Sequence, residues 1–400
     1  MPVVDARSRE RGIGKVFRRT LIFGLVVLLA SALVACTAFW LPGDVGSTGG
    51  SSGYGLAWTI EDLSLQAQCV VKATVTGIES VVLTDALGTD IVTDVTLSVL
   101  DYIKGAGPGT LTIRVKGGST EELAEVVSNE PVFAAGETTV VFVGPHSTED
   151  SLLDGRLGVV GAIQGKLTVL DGRIAELSIP VAELLLRVEN ALTGTASGPE
   201  PRFLPMAPRF GTLPWAADTA PLSYSYGGLR WKSASLPVKY YTNVSSLFSG
   251  AVTASSDTWN AVGTYFQLKN TGKTTLKPRG DNWNVVYSGS FGNTQWLAQT
   301  ITYYVLVRDR RRQIVDQYIT ECDLQINTYY RWGNGQSGSY FDIQNVATHE
   351  FGHWVLLNDL YTASEKDMTM YGYAGMNETK KRSLEPVEHQ GLIAIYGKKP

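Results

Sequence analysis

The stretch from Thr348 to Asp359 constrains this chain more than any other segment, because it places two of the four histidines four residues apart. An α-helix turns about 100° per residue, so His349 and His353 fall on one helix face and can bind the same metal ion. Glu350 flanks that face, where its carboxylate can reach a water molecule beside the metal and act as a general base. The sequence therefore predicts a catalytic metal site, against the simpler interpretation of two structural histidines.

The length and composition of the chain limit what surrounds this segment. Four hundred residues exceed what one hydrophobic core usually organises, which favours two domains. A hydrophobic content of 44% together with 42 glycines suits a folded, turn-rich protein and argues against disorder. The net charge of −4 and the lack of a basic stripe argue against nucleic acid as a partner.

Residues 1–43 have the pattern of a signal peptide or a membrane anchor. Arginine and lysine are frequent in the first 19 residues, and residues 20–43 then carry no charge. Leu33-Val34-Ala35-Cys36 resembles a bacterial lipobox in which Cys36 would be lipidated, and a buried thiol in a membrane helix is the alternative. Arg18-Arg19 also resembles part of a twin-arginine signal. All these interpretations predict export, with the remainder outside the cytoplasmic membrane and either secreted or anchored by a transmembrane helix or a lipid.

Residues 56–192, which follow a Gly/Ser tether at 44–55, predict an all-β domain. β-branched runs with a period of two, such as 70–75 and 91–99, alternate with Gly, Asp and Pro turns. We expect a small closed barrel or a sandwich, completed by a short helix at 181–192. Scattered positions in this part resemble a netrin-like OB barrel of the inhibitor type. They are Cys69, Tyr102-Ile103-Lys104-Gly105 and Gly136-Glu137.

Residues 193–226 are rich in proline and predict a linker, either a stiff spacer or a propeptide-like segment. The remainder, 227–400, predicts an α+β domain in which strands and one helix precede the metal-binding helix. Strands are expected at 236–241, 284–287, 298–307 and 318–326, and the helix between the first two carries Val252, Trp259, Val262 and Phe266 at helical spacing. Asp342 suits the N-cap of the metal-binding helix.

Three segments of this last part resemble a matrixin-like metzincin metalloprotease. They are Asn345 to Trp354, Met370-Tyr371 and Ile393 to Gly397. The resemblance implies a zincin-like catalytic domain at 227–400 that binds zinc and cleaves peptide bonds, with Glu350 as the catalytic base. It also allows structural calcium, and it implies a protein or peptide substrate and a monomer.

The same resemblance assigns further residues to the site. The third zinc ligand falls ten residues after the first histidine, at Asp359, where a carboxylate replaces a third histidine. Met370 becomes the methionine of the tight turn beneath the metal, with Met368 as the alternative. The strand of Trp296, Leu297, Ala298, Gln299 and Thr300 corresponds to the edge strand along which an extended peptide substrate pairs.

The chain departs from the resembled pattern at one position. The glycine that lets the helix turn sharply is Leu356 here, and leucine tolerates a left-handed backbone badly. Asn358 is therefore expected to make the turn one or two residues later. Because a shifted turn would move Asp359, Glu378 and Glu385 stay open as alternative third ligands.

Two further questions stay open from the sequence. Cys69 and Cys322 can pair as a disulfide, hold the enzyme latent through a thiolate on the metal, or remain buried thiols. The alternative function is a surface-anchored binding or adhesion protein whose protease fold is inactive. The β-domain would then be the working module, whereas in a protease it would be an inhibitor, an exosite or a spacer.

Overall fold

The computed structural model describes residues 58–86, 88–146, 153, 155–195, 226–293, 296–335 and 338–400. The predicted signal or anchor with Cys36, the Gly/Ser tether and most of the Pro-rich linker lie outside these residues. Within the described ranges, no helix is both long and apolar enough to cross a membrane. All of the described residues belong to a single unit by their contacts, and most of its regular structure is β-sheet.

The first half of the described chain contains ten strands and two helices. The β-branched runs that predict strands lie inside these elements, and the helix predicted near 181–192 is present. The elements are α1 (Ile60–Gln66), β1 (Cys69–Thr84), β2 (Thr89–Lys104), β3 (Thr110–Lys116), β4 (Gly118–Ser119), β5 (Leu123–Val127), β6 (Thr138–Pro145), β7 (Leu157–Val159), β8 (Lys166–Leu170), β9 (Arg173–Ile174), β10 (Ile179–Pro180) and α2 (Val181–Thr193).

Eight of these strands form the first sheet, in the order β10-β9-β8-β6-β1-β2-β3 with β7 beside β6. Consecutive side chains along a strand point to opposite faces of the sheet. Both faces of this sheet are apolar because consecutive residues of β1 and β6 are apolar. Val70, Val140 and Phe142 pack under α1 and α2, whereas Val71 and Val141 belong to the cluster on the opposite face.

The prediction of a closed barrel is wrong for the residues that the structure describes, because the two end strands, β3 and β10, do not pair with each other. After β3 the chain leaves this sheet through Gly117 and Gly118, whose φ angles are 80° and 145°. A Cβ on Gly118 would lie 2.4 Å from Thr93 Oγ1, so only glycine fits this crossing. Strands β4 and β5 then pair within the second sheet instead of closing the first.

The second half of the described chain supplies the remaining strands and three helices. They are β11 (Val238–Asn243), α3 (Ser246–Asn260), β12 (Leu268–Lys273), β13 (Val285–Gly289), β14 (Ala298–Arg308), β15 (Ile314–Asn327), β16 (Trp332–Gly333), β17 (Phe341–Asp342), α4 (Ile343–His353) and α5 (Pro386–Tyr396). The helix with the predicted apolar spacing is α3. It ends before Val262 and Phe266, which are buried in the loop that follows.

The second sheet has seven strands in the order β12-β11-β13-β15-β14-β5-β4. Strands β11, β12, β13 and β15 run parallel, and β14 runs antiparallel to β15 and to β5. Helices α3 and α4 pack on this sheet around a core that includes Tyr240, Trp259, Phe351 and Trp354. The helix predicted to bind metal is therefore buried along its whole length.

Candidate metal centre

A side-chain cap fixes the start of helix α4, and a tight turn fixes its end. Asp342 caps its first turn, because its Oδ1 accepts a hydrogen bond from the Asn345 amide at 2.8 Å, and Arg382 pairs with the same carboxylate. At the other end, the Leu356 amide donates to the His353 carbonyl at 2.9 Å and the Leu357 amide donates to the Gly352 carbonyl at 3.1 Å. This pair of bonds is a Schellman motif, which needs a left-handed residue after the helix.

Leu356 is that left-handed residue, with φ of 53°, so the expectation that Asn358 would make the turn is wrong. The strain is offset by packing, since the leucine side chain is buried and lies against Gly227. A Cβ on Gly227 would lie 2.4 Å from Leu356 Cδ2, and the Gly227 amide donates to the Leu356 carbonyl at 2.8 Å. The turn therefore stays at Leu356, and the chain continues from it to Asp359.

The two histidines of α4 point their Nε2 atoms at each other. His349 Nδ1 lies 2.8 Å from the Thr369 carbonyl oxygen, and His353 Nδ1 lies 2.7 Å from the Leu357 carbonyl oxygen. A carbonyl can only accept, so each Nδ1 carries a proton, and an imidazole held in this way can offer the lone pair of Nε2 to a metal ion. Burial lowers the pKa of His349 to about 4, which keeps that ring neutral at physiological pH.

Asp359 completes a triangle of acceptor atoms. The two Nε2 atoms are 3.1 Å apart, and Asp359 Oδ1 lies 3.0 Å from His349 Nε2 and 3.6 Å from His353 Nε2. Ligand atoms of a tetrahedral zinc ion with bonds of about 2.0–2.1 Å lie about 3.3 Å from one another. Burial raises the pKa of Asp359, but its neighbours His353, His349 and Tyr361 outweigh this effect and hold it below its usual value. Two ring nitrogens and one carboxylate oxygen, all buried and at this spacing, fit a shared cation.

Glu350 is the carboxylate beside this triangle. Its ligand atom lies within 4.8 Å of both histidine nitrogens, which also makes His349, Glu350 and His353 a candidate ligand set. We favour Asp359 as the third ligand, because its oxygen is closer to both nitrogens and Glu350 Oε2 already accepts a hydrogen bond of 2.7 Å from the Thr300 hydroxyl. Burial raises the pKa of Glu350 to about 7, the range in which a carboxyl group can both take and return a proton.

The alternative ligands Glu378 and Glu385 are engaged elsewhere. Glu378 accepts from the Gly375 amide at 3.2 Å and pairs with Lys381 at 3.4 Å. Glu385 forms the capping box of α5 with Glu388. His389, on the same helix, is exposed.

Met370 lies directly beneath α4. Its side chain is buried, and a Cβ on Gly352 would come within 2.2 Å of the Met370 sulfur. The preceding residue, Thr369, supplies the carbonyl that orients His349. Met368 is only partly buried at the border of the core, so the structure places Met370 and not Met368 under the helix.

The strand predicted to take substrate lies next to the metal-binding residues, but it is not an open edge. Trp296, Leu297, Ala298, Gln299 and Thr300 are all at most 4% exposed. Strand β5 pairs with β14 from Ile301 to Val305, on the side away from β15. A cavity of about 310 Å³ remains, and its lining includes Ser128, His353 and Asp359.

The two described cysteines do not pair with each other. Cys69 and Cys322 are both free thiols, so the disulfide among the alternatives from the sequence is not formed. Cys322 is buried in the core of the second sheet, and Cys69 belongs to a cluster of the first sheet. His146, the remaining described histidine, lies 2.7 Å from the Arg114 carbonyl oxygen through its Nε2.

Sequence reasoning missed the residues that support the metal-binding side chains. Tyr361 hydrogen-bonds the Asp359 carboxylate. Lys381 is fully buried, where its Nζ donates to the Tyr371 carbonyl at 2.7 Å and to that of Tyr373, and burial lowers its pKa to about 7. Tyr361 could have been suspected from its place two residues after Asp359, whereas Lys381 resembles an ordinary surface lysine in the sequence.

Comparison with known proteins adds no further identification. No protein-family model matches the sequence, and a search of curated proteins found no match.

Proposed function

We propose that this protein is a zinc-dependent endopeptidase whose site is built from His349, His353, Asp359 and Glu350. The observation that carries the proposal is the triangle of two histidine nitrogens and one carboxylate oxygen at 3.0–3.6 Å, with a second carboxylate, that of Glu350, alongside it. Such a donor set fits zinc, which accepts imidazole and carboxylate ligands together. The resemblance of Asn345 to Trp354 and of Met370-Tyr371 to matrixin-like metzincins supports the same class of enzyme.

In peptide hydrolysis, three residues would bind the metal ion, one would transfer the proton and one would orient that residue. His349, His353 and Asp359 would hold the zinc ion, which acts as a Lewis acid that polarises a peptide carbonyl and makes water more acidic. Glu350 takes a proton from the attacking water and then returns it to the leaving amine, which its pKa of about 7 permits. The Thr300 hydroxyl fixes the direction of the Glu350 carboxylate by donating to Oε2.

The location of the enzyme is proposed from the sequence alone. The charged and then apolar pattern of residues 1–43 supports export and either anchoring or secretion, so we propose extracytoplasmic proteins or peptides as substrates.

The test is a Glu350→Gln variant of the full chain, which removes the base and preserves the shape of the side chain. We expect one zinc ion per chain in both proteins and a loss of about 10²–10⁴-fold in the cleavage of an unfolded protein. Glu79→Gln, at an exposed position, is the matched control and should keep the wild-type rate. Zinc bound to both proteins with equal turnover in Glu350→Gln would remove Glu350 from the mechanism, and an absence of bound zinc would favour a binding or adhesion protein.

A further inference from the structure

The segment that contains β5 occupies the side of β14 opposite β15. Five residue pairs are in antiparallel register, from Ile301 opposite Val127 to Val305 opposite Leu123. The contact continues by one residue, because the Ser128 amide donates to the Thr300 carbonyl at 2.9 Å and the Thr300 amide donates to the Ser128 hydroxyl at 2.9 Å. The segment therefore makes the main-chain contacts that an added strand makes at the edge of a sheet.

Among the described residues β14 has no open edge between residues 301 and 305, because β15 pairs with it along eleven positions on the side opposite β5. An extended peptide binds a sheet edge through backbone N–H and C=O groups, and these groups of β14 are taken on both sides between residues 301 and 305. A peptide can pair with this edge only after β5 has left it.

The segment also leads to the metal-binding residues. As the chain runs from Leu123 to Ser128 it moves along β14 toward Thr300, whose hydroxyl donates to Glu350. Residues 128–133 then line the cavity that His353 and Asp359 also line. At Asn129, however, the backbone turns into the left-handed region with φ of 66°, and its carbonyl accepts from the Ile163 amide at 2.8 Å. The segment is thus bent away after Ser128 and does not continue as an extended strand.

Several contacts keep the segment on the edge. Val127 forms a small apolar cluster with Ile301 and Tyr303. Next to this cluster, Arg279 pairs with Asp85 at 2.6 Å and also with Asp90. These ion pairs join the loop before β13 to the hairpin of β1 and β2, so more than one contact must open when β5 leaves.

We infer that residues 123–128 are a built-in occupant of a peptide-binding edge, so that the full chain is latent until this segment is displaced by activation or by a competing strand. The inference rests on the proposed peptidase function and adds the regulation of that site. It also defines the ligand chemistry of the edge. The edge takes an extended peptide with a β-branched apolar residue opposite Ile301.

The first experiment measures occupancy of the edge without any need for catalysis. The probe is a fluorescent peptide of residues 121–128 (Glu-Glu-Leu-Ala-Glu-Val-Val-Ser), with a scrambled peptide of the same composition as its control. A tethered strand competes at an effective concentration on the order of millimolar, so wild-type chain should not bind micromolar peptide. Ser128→Pro removes the amide that donates to Thr300 and should bind the peptide at least about tenfold more tightly than wild type.

Two further variants test the same displacement of β5 by independent changes. Val127→Asp places a charge in the apolar cluster and should have the same effect by a different route. Val127→Cys combined with Ile301→Cys joins a directly opposed pair that makes no direct hydrogen bonds, so in the Ser128→Pro background oxidation of this pair should abolish peptide binding and reduction should restore it. Thr110→Pro, at the exposed start of β3, is the matched control for a proline in a strand and should behave as wild type.

The second experiment measures cleavage of an unfolded protein by the same variants in their zinc-loaded form. Ser128→Pro should cleave at least about tenfold faster than wild type, and adding Glu350→Gln should remove that gain. Peptide binding without cleavage would leave the strand inference standing and overturn the peptidase. If the opened variants neither bind the peptide nor gain activity, while the oxidised cysteine pair cleaves as fast as wild type, β5 is a permanent structural strand and the inference is overturned.

Discussion

Leu356 shows how one residue fixes the geometry of the metal centre. A left-handed conformation costs a leucine about 1–2 kcal/mol, and glycine avoids this cost. The chain keeps leucine because its buried side chain packs on Gly227 and extends the core under α4. At this turn toward Asp359, the packing of the leucine side chain outweighs the preference of the backbone for glycine.

This balance predicts an unusual order of stability for two variants. Both Leu356→Ala and Leu356→Gly lose the buried side chain, at a cost of about 2–5 kcal/mol. Alanine keeps the backbone strain and glycine removes it, so Leu356→Gly should be the more stable of the two by about 1 kcal/mol. Urea unfolding of both variants measures this difference.

The control for this comparison is Gly250→Ala, within helix α3. An added Cβ at position 250 meets no atom within 4 Å, and alanine is the better helix former, so here alanine should be the more stable residue. If alanine at position 356 proves as stable as glycine, the left-handed backbone at that position costs nothing and the argument from strain is wrong.

Asp359 is the residue whose assignment as a ligand most needs a direct measurement. Its Oδ1 lies 3.0 Å from His349 Nε2, whereas Glu378 and Glu385 are held by other partners. Asp359→Ala should therefore lower the bound zinc well below one ion per chain, because only two ligands remain. Glu378→Ala and Glu385→Ala are the matched controls and should keep their zinc. Full zinc content in Asp359→Ala, measured by metal analysis of the purified proteins, would exclude Asp359 as the third ligand.

The residues of the site differ in how far the sequence predicts them. His349, Glu350 and His353 follow from the local geometry of one helix, which four residues are enough to define. The left-handed turn at Leu356 could not be predicted, because it depends on Gly227, which lies far away in the sequence. The support from Lys381 depends in the same way on the fold, since its carbonyl partners lie in another loop.

At the scale of elements, the sequence predicts strands well and predicts their partners poorly. The period of two locates β1, β2, β14 and β15, because alternation is a local property. Strand β5 leaves the first half of the chain and pairs with β14. This pairing depends on long-range contacts, which the alternation of side chains does not predict. The expected closed barrel failed for this reason, and the same pairing covers β14 next to the predicted substrate strand.

Because of Glu125 on β5, we expect the stability of the fold that pairs β5 with β14 to depend on pH. Burial raises the pKa of Glu125 to about 8, although its carboxylate accepts a hydrogen bond from the Ile91 amide. The other charged groups that act on it are Asp90, Lys116 and Glu321. Since the folded pKa lies above the usual value of 4.5, the folded state holds a proton that the unfolded chain releases. This contribution to stability is fully present below pH 4.5 and is lost as the pH rises toward about 8.

The Glu125→Gln variant isolates this effect, because glutamine resembles the protonated side chain. Between pH 5 and pH 8, wild type should lose stability relative to the variant by at most about 1.4 kcal/mol per pH unit. Urea unfolding of both proteins across this range measures the difference, and Glu79→Gln, at an exposed position of β1, is the control. Parallel stability curves for wild type and Glu125→Gln would show that Glu125 does not couple to the fold.

At the scale of the whole molecule, the second sheet joins the two halves of the chain. Strands β4 and β5 come from the first half and the other five strands come from the second, so the sheet cannot lose one half without exposing the edge of β14. The same sheet packs on α4 and thus on the metal-binding residues. Metal binding at one end should therefore stabilise a structure that includes both halves.

Removal of the metal should test this coupling in the wild-type chain. At free zinc about 100-fold above its dissociation constant, binding adds about 2.7 kcal/mol of stability, so a chelator should lower the unfolding temperature by several degrees. Tryptophan fluorescence follows mainly the second half, because of the described tryptophans only Trp58 lies in the first, whereas far-ultraviolet circular dichroism follows the strands of both. The two transitions should coincide and shift together on chelation, and Asp359→Ala should show no such shift. A fluorescence transition that moves while part of the circular dichroism transition stays at its original temperature would show that β5 does not couple the halves.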